Sequence, residues 1–72
     1  MKLLYDPETD SLYIDLVDRT SVESEEVAPG IVMDYDADGQ TVGIDIEHAS
    51  KVLNLTELET HCLPVALTRS TA

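Results

Sequence analysis

The stretch Asp34-Tyr35-Asp36-Ala37-Asp38-Gly39, running on through Gln40-Thr41-Val42-Gly43-Ile44-Asp45-Ile46-Glu47, decides the fold. Two readings compete for it. Aspartates at alternate positions followed by glycine open an EF-hand calcium loop. Asp34, Asp36, Asp38, Gly39, Gln40 and Asp45 would then supply or shape the ligand positions. Against this, Thr41 stands where an aliphatic residue is usual, and Asp45 where a longer, bidentate Glu is expected. An EF-hand loop also joins two helices, whereas both flanks here alternate with a period of two. Ile31, Met33 and Tyr35 share one face before the turn, and Val42, Ile44 and Ile46 share one after it. The stretch therefore reads as a hairpin turn, with weak calcium binding through residues 34–45 as the alternative. Opposed residues of an antiparallel pair have a constant sum of numbers. Placing both apolar sets on one face thus requires an even-length loop, which Asp36-Ala37-Asp38-Gly39 supplies.

Upstream, Lys2 to Tyr5 is a short apolar run closed by Asp6-Pro7-Glu8-Thr9-Asp10, in which Pro presets a turn dihedral and Asp accepts turn hydrogen bonds. Leu12, Ile14 and Leu16 then alternate with Tyr13, Asp15 and Val17, so two strands form a first hairpin. Asp18 to Ser21 reads as a loop. Val22 to Val27, crowded with Glu23, Glu25 and Glu26, reads as an edge strand whose charges discourage pairing with other molecules. Pro29-Gly30 bends the chain.

Downstream the period changes. Ala49, Val52, Leu53, Leu55 and Leu58 recur at helical spacings. Asn54 suits a left-handed helix cap, and Thr56 with Glu59 has capping-box spacing, so one interrupted helix and two short ones both fit. Pro64 closes the region, and residues 64–72 read as a flexible tail.

With 72 residues, the chain makes one domain with a thin core, and without Trp or Phe that core must be aliphatic. Fifteen acidic residues against four basic ones give a net charge of −11. Such a surface repels nucleic acid and anionic membranes and attracts a basic protein; it also serves plain solubility. Cys62 is the single cysteine, which fits a reducing cytoplasm, and no apolar run reaches the ~20 residues of a membrane span.

Catalytic and metal chemistries find little footing. His48 and His61 lie in adjacent pairs with Glu47 and Cys62, a spacing that points neighbours apart rather than onto one metal. Ser11, Ser50 and Cys62 lack any implied His-and-carboxylate partner set. Carboxylates on a solvated sheet face have no apolar pocket to raise a pKa for acid–base work. Neither an enzyme nor a cofactor is expected.

The run Tyr5-Asp6-Pro7-Glu8-Thr9-Asp10-Ser11-Leu12-Tyr13-Ile14, the Pro29-Gly30 step, the Asp34–Gly39 turn, Val42-Gly43-Ile44-Asp45-Ile46 and Ala49-Ser50 occur in a characteristic order. In these the chain resembles the small bacterial domain of unknown function numbered 2283, over about residues 3–53. Asp45 stands where that family more often has Glu. The resemblance implies a small antiparallel sheet followed by a helix. It also implies an antitoxin-like role, since some members look like antitoxins encoded beside a small RNase-like toxin. It carries no catalytic residue set.

The expected fold is α+β: a small antiparallel meander of two hairpins (about 2–47), then a helical segment (about 49–62), in a single domain spanning 1–63. Leu3, Leu12, Ile14, Leu16, Ile31, Met33, Val42, Ile44, Ile46, Val52 and Leu55 should form the core, with Tyr13, Val17 and Val32 on the opposite face, where a second copy could dock as a homodimer. The expected function is a non-catalytic, cytoplasmic binding protein, with a weak calcium-binding module through residues 34–45 or a self-associating structural protein as the alternatives. Asp15, Asp34, Asp36, Asp38, Asp45 and Glu47 would meet a basic partner such as a cognate toxin.

Overall fold

In the computed structural model, residues 1–65 are described. Five strands form one antiparallel sheet: β1 (Lys2–Asp6), β2 (Ser11–Asp15), β3 (Glu23–Ala28), β4 (Ile31–Tyr35) and β5 (Thr41–Ile46), followed by one helical turn, α1 (Ala49–Val52). The spatial order is β1-β2-β5-β4-β3. The two-hairpin meander is thus corrected. β3 pairs with β4 as a third hairpin, and β5, last in sequence, lies at the centre, where it joins β2 to β4.

Register explains why β5 belongs there. Leu12 and Ile14 of β2 oppose Ile46 and Ile44, which in turn oppose Ile31 and Met33 of β4. Three aliphatic strands are thereby aligned on one face, the arrangement that cross-strand packing favours. The turn after β4 is longer than the four residues expected. Asp36 to Gln40 separate the strands, and the odd count is absorbed by a register shift at Asp34/Tyr35. The bulge restores the parity that keeps Val42, Ile44 and Ile46 with Ile31 and Met33.

The helical segment is much shorter than expected. It ends at Val52, Leu53 is extended (φ −127°, ψ 152°), and Asn54 is no left-handed cap. Instead the Asn54 side chain accepts hydrogen bonds from the Thr56 N–H (3.1 Å) and Oγ1 (2.6 Å), so the Thr56–Glu59 capping box starts no helix. Nothing local favours a longer one: His48 precedes α1 in a left-handed conformation without a side-chain cap, and the first turn holds no acid.

The expected core is corrected in the same way. Leu12, Val42 and Ala49 are the buried apolar residues, while Ile14, Leu16, Ile31, Met33, Ile44 and Ile46 are half-buried. Val52 (63% exposed), Leu55 (40%) and Leu3 (48%) are open to solvent. Extensive contacts between elements are those between neighbouring strands, so among the described residues the sheet forms a single layer. Of the tail expected at 64–72, residues 66–72 lie outside the described residues. No helix among the described residues is long and apolar enough to cross a membrane.

Candidate functional site: the acidic sheet face

The pleat sends Leu4, Tyr13, Asp45, Val32 and Glu26, and beside them Lys2, Asp15, Gly43, Asp34 and Ser24, to the face opposite the aliphatic stripe. Asp15, Gly43, Asp34 and Ser24 make one row across four strands. Gly43 has no side chain, and Tyr13 uses the gap. Its ring lies across Gly43, and its hydroxyl donates to Asp34 Oδ2 at 3.0 Å. Ser24 Oγ donates to the other oxygen, Asp34 Oδ1, at 2.6 Å. A hydrogen-bonded line thus runs from β2 over β5 to β4 and β3. Burial holds the Tyr13 phenol above its ordinary value, followed in effect by the Asp34 hydrogen bond and the charges of Asp34, Asp15 and Asp45. Tyr13 is therefore a neutral donor set among three carboxylates.

Asp36 faces inward and is buried, rather than forming part of the acidic surface expected of it. Oδ1 accepts the N–H groups of Asp38 and Gln40, both at 2.9 Å, and Oδ2 accepts Arg19 Nη1 at 3.2 Å. Those bonds hold its carboxyl below the usual aspartate range, the Gln40 N–H contributing most; burial opposes them, and the Asp38 N–H and Arg19 add to the lowering. Asp36 is the keystone of the β4–β5 turn, and Arg19 pins it to the loop after β2.

Asp34 turns toward Tyr13 and Ser24 while Asp36 satisfies its own turn, so the alternating aspartates do not converge. Among the described residues no group of three or more His, Cys, Asp or Glu side chains is arranged to hold a metal ion. Asp38 and Glu47 are exposed, and Asp15 and Asp45 half-buried on the strand face.

A second constellation went unread in the sequence. Asp10, left-handed at φ 53°, accepts from Tyr5 Oη (2.7 Å), Ser50 Oγ (2.7 Å) and Ser50 N–H (3.1 Å), while its carbonyl accepts Ala49 N–H (2.8 Å). The first turn of the chain thus caps α1 across 40 positions, supplying the acceptors that His48 does not. Hydrogen bonds from Tyr5 and then Ser50 lower the Asp10 carboxyl, burial opposing, with the Ser50 N–H and the nearby His48 adding to the lowering. The missing local cap before Ala49-Ser50 was the signal that a distant one exists.

The sequence profile of the proteins of unknown function DUF2283 matches residues 2–50. The chain belongs to the DUF2283 family. The matched span contains all five strands and ends on Ser50, the residue that closes the tie to Asp10, so the DUF2283 unit and the bonded sheet coincide. Comparison with curated proteins and with solved structures gives no significant match.

Proposed function

We propose that this chain is a non-catalytic binding protein that neutralises a small basic partner, in the manner of an antitoxin. The observation that carries this reading is the gathering of Asp15, Asp34 and Asp45 around Tyr13 on one sheet face. Among the described residues the ion pair formed is Arg19–Asp36, away from that cluster, and Lys2 is the cation sharing its face. Like charges on adjacent strands repel, so the free protein holds a destabilising field that Lys and Arg side chains of a partner would relieve. That field also speeds encounter with a cationic protein. Asp15, Asp45, Asp38 and Glu47 make the contacts, while Asp34 and Asp36 hold the strands and the turn in place.

The test is co-expression with the product of the neighbouring gene, followed by pull-down and growth measurement. Copurification at low salt, release at high salt, and weakening by a combined Asp15→Asn and Asp45→Asn change are the expected results. Failure to copurify at low salt, with no rescue of growth, refutes the reading.

A further inference from the structure

The two edges of the sheet are built differently. β3 carries Glu23, Glu25 and Glu26, with a register shift between Glu26 and Ala28. Charges and bulges are devices that keep an edge strand from pairing with another chain. β1, at the opposite edge, has neither along its middle. Its register against β2 runs unbroken from Lys2 to Asp6, and its three central residues are Leu3, Leu4 and Tyr5. These are 48%, 52% and 46% exposed. Among the described residues no strand lies outside β1, so alternate N–H and C=O groups along it point away from the sheet. A regular apolar edge of this kind is a template for a further strand.

The strand that fits this template best is β1 itself. Lys-Leu-Leu-Tyr-Asp has a cation at one end, an acid at the other and apolar residues between them. Two copies joined edge to edge about a two-fold axis run antiparallel, and the axis passes through one residue opposed to itself. With the axis at Leu4, Leu4 opposes Leu4, Leu3 opposes Tyr5, and Lys2 of each copy opposes Asp6 of the other. An axis at Leu3 would set Lys2 against Leu4. An axis at Tyr5 would set Leu4 against Asp6, and Leu3 against Pro7, which has no N–H to donate. The end groups suit the Leu4 register. Asp6 Oδ1 accepts the Glu8 N–H at 2.9 Å, which leaves Oδ2 for a cation. The ion pair among the described residues is Arg19–Asp36, so Lys2 is not committed to an acid there.

We infer that β1 is a self-association edge, at which two copies of this chain join β1 to β1, antiparallel about Leu4, into one continuous sheet. Two Lys2–Asp6 pairs and a run of apolar pairs then close the seam, the combination that cross-strand pairing favours. The axis stands normal to the sheet, so both copies keep the same side up. Lys2, Leu4 and Asp6 meet on the acidic side, while Leu3 and Tyr5 extend the aliphatic side that carries Ile14 and Leu12. The pair therefore presents both Asp15–Asp34–Asp45 clusters on one side, and the seam is an edge rather than the Tyr13–Val32 face expected from the sequence. One strand's width is less than a standard interface, so the dimer is reversible and forms with rising concentration.

Three measurements on the full chain decide it, at physiological salt to screen the repulsion between two chains of charge −11. Sedimentation equilibrium from micromolar to millimolar concentration should show the mass rising from 7.9 kDa to twice that value. Hydrogen exchange at the β1 amides that point away from β2 should slow in step with it. Oxidative cross-linking then tests the register, with Leu4→Cys, Leu3→Cys and Glu25→Cys each placed in a Cys62→Ser chain, since Cys62 is itself exposed. Opposed Leu4 positions stand about 4.5–5.5 Å apart at Cα, within reach of a disulfide. The two Leu3 positions are diagonal at about 7–8 Å, and Glu25 lies on the other edge. Leu4→Cys should link about a hundredfold faster than either control, as thiols held together do over thiols meeting at random. A chain that stays monomeric overturns the inference. Protected β1 amides would then mean that its own C-terminal residues occupy the edge, and fast exchange that the edge is open to a different protein. A dimer in which Leu4→Cys links no faster than a control joins elsewhere or in another register, and overturns it as well.

Discussion

Replacing Gly43 with alanine should destabilise the sheet by about 1–2 kcal/mol, and Tyr13 should account for all of it. The Gly43 backbone lies outside the left-handed region, so it accommodates any residue and only space is at issue. A Cβ built there falls inside the van der Waals shell of Tyr13 Oη and Cζ and 3.0 Å from Cε1. The ring must swing away and surrender the 3.0 Å bond to Asp34. A hydrogen bond to a charged group contributes about 1.5–3 kcal/mol, and the lower half applies to this part-buried one. Exposing the ring adds to the loss, while alanine over glycine in a strand returns about 0.5–1 kcal/mol. The net corresponds to a fall in Tm of about 5–15 °C for a chain of this length. The assay is a double-mutant cycle by thermal or urea unfolding, at one fixed protein concentration, of wild type, Gly43→Ala, Tyr13→Ala and the pair. In the Tyr13→Ala background the glycine change should be neutral or stabilising. An equal loss in both backgrounds would refute the account of Gly43 as the seat of the Tyr13 ring.

Leu12→Ala should cost about 2–3 kcal/mol by urea unfolding, the low end for a buried leucine, because a single layer lets solvent and neighbours fill the gap. Gly39→Ala meets no atom within 4 Å, so its loss of about 1 kcal/mol should come from the left-handed φ of +79° alone, and Gly39→Asn should recover part of it. The Asp10 carboxyl titrates below 3.8 in the folded chain, so its contribution is whole above that unfolded value and is lost as pH falls through the folded one. The stability gap between wild type and Asp10→Asn, followed by unfolding at a series of pH values, should hold steady from neutral pH to near 3.8 and then close. The Tyr13 phenol titrates above 10.0 when folded, so its contribution is whole below 10.0 and fades as pH rises through the folded value. Tyr13→Phe should accordingly abolish that alkaline loss and remove one late step from the phenolate absorbance titration.

The strands were legible because their signal is local. Alternation over Leu12–Val17 and Val42–Glu47 needs no knowledge of the rest of the chain, and Pro29-Gly30 marks its turn by backbone chemistry alone. The order of the strands was not legible, since aliphatic β2, β4 and β5 match one another equally well by pattern and only their three-dimensional closure puts β5 between the others. The helical spacing from Ala49 to Leu58 misled because periodicity states which face would be buried, not whether anything waits to bury it. On the acidic face, Asp15 and Asp45 lie where alternation put them. Asp36 escaped because a turn aspartate and a surface aspartate look alike until their hydrogen bonds are seen. Gly43 carried an overlooked signal: a glycine inside a strand pattern marks a close approach, here that of Tyr13.

The central position of β5 also orders events in time. Until residue 46 has left the ribosome, β2 and β4 each keep an unpaired edge, and the chain consists of two separate hairpins, β1–β2 and β3–β4. Hairpins of that size are marginal in water. Synthesis thus delivers the joined sheet only once β5 is made: a chain broken off at Gln40 has both hairpins and lacks the strand that pairs with each.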